Sequence, residues 1–234
     1  MKVTALVPSK LNSQRLPTKN IRTLGGRPLV NYVLEVLNES VLIDDIYLYA
    51  SDDTVCQWVD PQIDYQYLQR DPSLDSHSTS MLDVIEAFVR DVETDIVVQA
   101  HITCPFMKPG TVDTCVQRVL DGRSSAFTAQ ALQTFAWYGN KPLNYSLDGQ
   151  IPRTQDLEPV VMEAGLFVFT REMFEQKRRR IGDNPAIEIV DGVEGMDIDT
   201  AEDLNLAEHL LQIDRVPGLR IEDSRVTRRL VVSG

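Results

Sequence analysis

Short apolar runs and longer amphipathic stretches alternate along most of this chain. Val3 to Val7 is an apolar-rich run that stops at Pro8, the pattern of a buried strand. In "RPLVNYVLEVLNES", Leu29, Tyr32, Val33, Val36 and Leu37 recur at helical spacing, and Pro28 suits a first turn. Further strands read at "DIYLYAS", "DYQYLQR", "DIVVQAH" and "SAFTAQAL". Between them come a short helix at "DTVCQWV" and a longer one at "TSMLDVIEAFVRDV". A third, "PGTVDTCVQRVLDG", is opened by Pro109 and closed by Gly122. Repeating βα order predicts a mostly parallel sheet with helices on both faces. From Gln133 to Glu158 the rhythm breaks, and Asn, Gly, Pro and aromatic residues predict a loop or small hairpin excursion. A strand at "VVMEAGLFVFT" resumes the pattern. It is followed by a short helix, "REMFEQKRRR", whose basic run reads as its last turn, and by a strand at "PAIEIVD". No internal repeat appears, so residues 1–234 read as one domain.

Charge changes this picture. The formal net charge is −12, yet residues 1–34 carry six basic residues and no acid, the first being Glu35. An acidic protein with a local basic segment is a poor general nucleic-acid binder, so that segment is read as serving a small anion. A chain of 234 residues buries roughly 70–75% of its unfolded surface and needs no disulfide staples. Cys56, Cys104 and Cys115 are scattered at no metal-ligand spacing, which predicts reduced thiols in a cytoplasmic protein. The apolar start is too short for a signal-peptide core, and no run approaches the ~18 residues of a membrane span.

Two constellations carry chemistry. The first is the loop expected after the opening strand, where α/β sheets bind ligands beyond their strand ends. Lys10, Arg15 and Lys19, with backbone N–H groups, make a candidate phosphate cradle, although neither G-x-x-x-x-G-K-[ST] nor G-x-G-x-x-G is present. The second is "GMDIDTAEDL". In a strand, Asp197 and Asp199 would share one face, and Mg²⁺ is the usual partner of two such carboxylates beside phosphates. The other reading is that Asp199 or Thr200 caps the next helix, with Asp203 at its third position. Gln99 and Thr103, in "QAHITCPF", are candidate base or ribose readers or simply strand-end polar residues.

The run "PSKLNSQRLPTKN" resembles the N-terminal signature of the acylneuraminate cytidylyltransferase family. Pro8, Ser13, Leu16, Pro17, Lys19 and Asn20 match, and Lys10 stands for an arginine. "ASDD" at 50–53, "QRDPSLDSHSTSMLDVI" at 69–85, "AHITCPF" at 100–106 and "MDIDTAEDL" at 196–204 are similar to that family's later blocks, in order. The resemblance implies a Rossmann-like, three-layer α/β/α fold of the nucleotide-diphospho-sugar transferase type. It implies a Mg²⁺-dependent reaction of CTP with an acidic 2-keto-3-deoxy sugar, giving a CMP-sugar and pyrophosphate. It also implies a homodimer, with an excursion over about 133–180 on the acceptor and partner side. Lys10 and Lys19 would hold the triphosphate, with Ser9, Asn12 and Ser13 as polar contacts. Asn20, Arg70, Ser80 and Gln99 would contact cytidine. Asp197 and Asp199 would hold Mg²⁺, with Asp199 also a candidate base.

The chain departs from that pattern at several positions. Ser9 replaces alanine, His77 an aspartate and Cys104 a serine. Met162 and Ala164 stand where sialic-acid enzymes place an arginine and an asparagine before the glycine, here Gly165. Arg153, Gln155 and Asp156 are the candidate replacement contacts for the acceptor, and a modified nonulosonic acid such as a legionaminic or pseudaminic type is one of the acceptors left open. The alternatives are a catalytically degenerate nucleotide-binding module that works through its oligomer interface, and a cytidylyltransferase with a non-sugar acid acceptor.

Overall fold

A computed structural model describes residues 1–12 and 16–214. Strand β1 (Val3–Ser9) is followed by a 3₁₀ turn at Lys19–Ile21 and a small ladder of β2 (Thr23–Leu24) and β3 (Arg27–Pro28). Next come α1 (Leu29–Glu39), β4 (Asp45–Ala50), a 3₁₀ segment at Asp53–Trp58, β5 (Gln66–Gln69) and α2 (Met81–Asp91). The chain continues through β6 (Ile96–Ala100), α3 (Pro109–Leu120) and β7 (Ser125–Leu132). The excursion holds one hairpin, β8 (Trp137–Tyr138) with β9 (Lys141–Pro142). Then come β10 (Val160–Thr170), α4 (Arg171–Lys177), β11 (Ala186–Val190) and α5 (Ala201–Asp214).

Seven strands form the central sheet, in the order β11-β7-β10-β6-β1-β4-β5. All neighbouring pairs are parallel except those of β10, which runs antiparallel between β6 and β7. Alternate residues feed two cores. Val3, Ala5, Val7, Val98, Leu166 and Val168 meet the apolar stripes of α1, α3 and α5. Leu6, Val97, Phe167 and Phe169 meet α2 and α4. Both faces are therefore covered, which is why the inner strands read as continuous apolar runs and not as alternating ones. The three-layer α/β/α expectation holds.

Some local expectations need correction. Residues 196–200 form no strand, and α5 begins only at Ala201. Helix α4 stops at Lys177, so Arg178, Arg179 and Arg180 lie beyond it. Of the expected excursion over 133–180, the part from Val160 onward returns to the sheet, with β10 among its inner strands. No helix among the described residues is long and apolar enough to cross a membrane.

Candidate functional site

Because β1, β4, β5 and β6 are parallel, Ser9, Ala50, Gln69 and Ala100 end at one edge of the sheet. Chain order reverses there. From β1 the sheet grows one way to β4 and β5, then on the other side to β6, so β1 and β6 flank the crevice where such sheets bind ligands.

The loop leaving β1 is closed from within. The buried Asn20 amide donates to Ser9 Oγ and to the Lys10 carbonyl, both at 3.1 Å. Thr18, just before the 3₁₀ turn, sits at φ 55°, where a β-branched residue is strained. This geometry delivers the Lys19 ammonium 2.7 Å from Asp199 Oδ1. Ser13 and Arg15 lie outside the described residues.

Asp199 is held from the other side. The Ile198 N–H donates 2.8 Å to the Thr103 carbonyl, anchoring the Asp197–Asp199 segment to the loop after β6. Ile198 is buried, Asp197 exposed and Asp199 half-buried, so the alternation expected of a strand persists in an irregular segment. The capping task falls to neighbours: Thr200 Oγ1 accepts from the Asp203 N–H at 3.2 Å, and Asp203 accepts from the Thr200 N–H at 2.8 Å. The capping reading is thus met by Thr200 and Asp203, and the Asp199 carboxylate faces Lys19.

Arg70 is almost fully buried at the end of β5. It donates 2.9 Å to the Ser9 carbonyl, pairs with Asp75, and lies over the Tyr49 ring with 5.6 Å to the centroid. Asp75 also accepts from Ser51 Oγ, and its carbonyl accepts from Asn12 Nδ2 at 3.1 Å. This network frames a cavity of about 160 Å³ lined by Ser9, Lys10, Leu11, Asn12, Ala50, Ser51, Asp52 and Asp75. Asp75 and Ser51 were not singled out from sequence; they sit inside two of the quoted blocks, and their pairing with Arg70 is a tertiary fact.

Other expected residues are placed differently. Ser80 caps α2 in a reciprocal box with Asp83. Gln99 is fully buried, with Oε1 accepting from Arg180 Nη1 at 3.2 Å. Arg153 and Asp156 are exposed and pair with each other at 2.6 and 3.0 Å, and the Gln155 carbonyl accepts from Gln133 at 2.8 Å. None of these three lines the cavity beside β1.

Burial sets the local electrostatics. It pushes the His101 imidazole down to about 4, with Arg180 and Lys19 adding to the fall and Asp199 opposing it. It pushes the Cys104 thiol well above its usual range, and nearby Asp197 adds to that. Strand β10 passes so close that a Cβ on Gly165 would lie 2.2 Å from Cys104 Sγ.

Among the described residues no group of three or more His, Cys, Asp and Glu side chains forms a metal cluster. Two carboxylates on one short segment, one of them 2.7 Å from a lysine, are the kind of oxygen donor set that Mg²⁺ takes, with water and substrate oxygens in its remaining positions. Asp197 and Asp199 fit that ion.

The sequence model of the family described as cytidylyltransferase matches residues 4–164. The chain belongs to the cytidylyltransferase family. N-acylneuraminate cytidylyltransferase of Oncorhynchus mykiss is 27% identical over 185 residues, 74% of this chain and 42% of that protein. This family member thus spans less than half the length of that relative. Pseudaminic acid cytidylyltransferase of Campylobacter jejuni is 21% identical over 227 residues, 92% of this chain and 98% of its own. The structure of CMP:2-keto-3-deoxy-manno-octonic acid synthetase complexed with CTP matches with a TM-score of 0.68. It covers 91% of this cytidylyltransferase and 99% of that chain at 20% identity, a likeness of fold.

Proposed function

We propose that this protein is a Mg²⁺-dependent cytidylyltransferase that transfers CMP from CTP to an acidic 2-keto-3-deoxy sugar of the nonulosonic type. The observation that carries this reading is the Lys19–Asp199 pair, which joins the loop after β1 to the Asp197–Asp199 segment at the crevice beyond β1 and β6. The relatives' names support the nucleotide and the acidic-sugar class.

In this reading Lys10 and Lys19 hold the triphosphate, and Ser9, Asn12 and Ser13 supply polar contacts to it. The base enters the cavity framed by Arg70 and Asp75, with Asn20 and Ser80 toward the cytidine, while Gln99, bonded to Arg180, faces the acceptor side. An oxygen of the acceptor hydroxyl attacks the α-phosphorus, the bond to the β-phosphate breaks, and pyrophosphate leaves. The hydroxyl proton passes to a base, for which Asp199 is the candidate. Lys19 stabilises charge on the phosphate oxygens as that bond breaks. Asp197 and Asp199 would hold Mg²⁺, which when bound neutralises the charge of the pyrophosphate leaving group. The exposed Arg153, Gln155 and Asp156 remain proposed acceptor contacts. Three free thiols suit a reducing cytoplasm.

Pyrophosphate release with Mg²⁺, each of the four NTPs and a panel of nonulosonic and octulosonic acids tests this. Release with CTP and one acid is expected. Release that needs no acid, or that ignores the nucleotide, would sink the reading.

A further inference from the structure

Four basic residues run from Lys177 to Arg180, and the chain sends the last one a different way from the first three. Lys177 and Arg179 both reach Asp183 on the surface. Arg178, in the left-handed region at φ 49°, pairs with Asp83 and Glu86 of α2 at 2.6 and 2.8 Å. Arg180 turns onto the end of the sheet. Its guanidinium carbon lies 3.5 Å from the centroid of the Phe167 ring. Nη1 donates to Gln99 Oε1 at 3.2 Å and Nη2 to Glu163 Oε2 at 3.3 Å.

This guanidinium is poorly compensated. A charge-assisted N–H···O⁻ bond normally measures about 2.7–2.9 Å, and the Glu163 side chain is half exposed. Burial lowers the affinity of Arg180 for its proton, and Glu163 opposes that only secondarily. A stacked, partly buried arginine with one loose acid and one neutral amide has capacity for a planar anion.

The surroundings point the same way. With Oε1 committed to Arg180, the Gln99 amide nitrogen is a buried donor without a hydrogen-bond partner. His101 Nε2, two residues along the same chain, is also buried and unpartnered. Buried polar atoms left unpaired in this way are uncommon, and two beside one arginine call for a ligand. Gln99 and Phe167 face each other across the β6–β10 border, and β10 bulges between Glu163 and Phe167. Bulges of this kind re-aim side chains beside binding sites. Strand β10 carries no basic residue of its own. His101 lies within electrostatic reach of both Arg180 and the Lys19–Asp199 pair.

We propose that Arg180 receives the carboxylate of the acidic acceptor, with the Gln99 amide donating to the same group and Glu163 serving as the counter-ion displaced on binding. The proposal rests on the acceptor being an acid, as read above. It replaces the exposed Arg153 with an inward-facing cation as the group that selects an acid. A purely structural arginine, pinning residues 178–182 to the sheet, would govern stability and leave the choice between an acid and its ester untouched.

Calorimetry with CMP present separates these. The ligands are N-acetylneuraminic, pseudaminic and 2-keto-3-deoxy-manno-octonic acids and the methyl ester of each. The wild type is expected to bind one acid at least about 30-fold more tightly than its ester, the scale of a buried charged pair. Arg180→Gln is expected to bind acid and ester alike, with CTP affinity retained, and Arg180→Lys to fall between. If Arg180→Gln does not fold, the ratio must still fall in Arg180→Lys. An acid-to-ester ratio preserved in the variants overturns this assignment alone. A wild type that binds CTP but prefers no acid to its ester overturns the acidic-acceptor reading, and this assignment with it.

Discussion

Lys19 and Asp199 meet across a sequence separation of 180 residues, so their pairing depends on the whole fold. With Lys19 in the proposed phosphate role, Lys19→Ala is expected to lower kcat with CTP by about 10²–10³-fold, the cost of removing one preorganised donor. Steady-state pyrophosphate release checks this, and an unchanged kcat would remove Lys19 from the chemistry. His101 makes a separate prediction. Its imidazole titrates at about 4 in the fold and near 6.5 in an unfolded chain. Between those values the unfolded state binds more protons, so stability falls as pH drops from about 6.5 to 4, by roughly 3 kcal/mol in all. Urea unfolding at pH 7 and pH 4.5 should show that loss, and His101→Phe should remove this part of the difference. At this scale the sequence was unevenly legible. Lys10, Lys19, Asp197 and Asp199 stand in compact local patterns that mark them as candidates, and the fold brings Lys19 to Asp199. Arg180 was hidden in a basic run because its partners, Gln99 and Glu163, come from two other strands.

Helices and buried strands followed their hydrophobic period closely, because one face or both faces of each had to be apolar. Strand direction was another matter. Nothing in "VVMEAGLFVFT" tells that β10 runs antiparallel, since a strand buried on both sides has the same composition in either direction. The Asp197–Asp199 segment alternates in burial as a strand does, yet pairs with a loop carbonyl at Thr103 and with no sheet neighbour. Alternation reports which side faces water and leaves the backbone partner open. The close approach of β10 to the loop after β6 gives a direct test. Gly165→Ala would drive a Cβ against Cys104 Sγ, with an expected cost of roughly 1–3 kcal/mol from overpacking. Pairing it with Cys104→Ala should recover part of that loss in denaturant titrations, because the sulfur is the nearest obstacle. If the two changes are additive, the contact does not matter.

The molecule as a whole shows apolar side chains along its excursion: Trp137, Tyr138, Leu143, Leu147 and Ile151 are all exposed. Such clustering on one segment suits the homodimer that the family resemblance implies, and we propose this excursion as its contact with a second copy. Trp137→Asp combined with Tyr138→Asp is expected to shift sedimentation from dimer to monomer, and a wild type that sediments as a monomer at micromolar concentration would end that proposal. The position of β10 has a consequence for how such a chain comes into being. The β5-β4-β1-β6 group and β7 are complete in sequence before residue 160, yet no strand pairs with both β6 and β7 until β10 enters between them. A chain emerging from the ribosome therefore passes through a stage with two open inner edges, each able to template strands of other chains. Closing the sheet from its middle late in synthesis makes that interval a hazard of aggregation, and it is the final third of the chain that ends it.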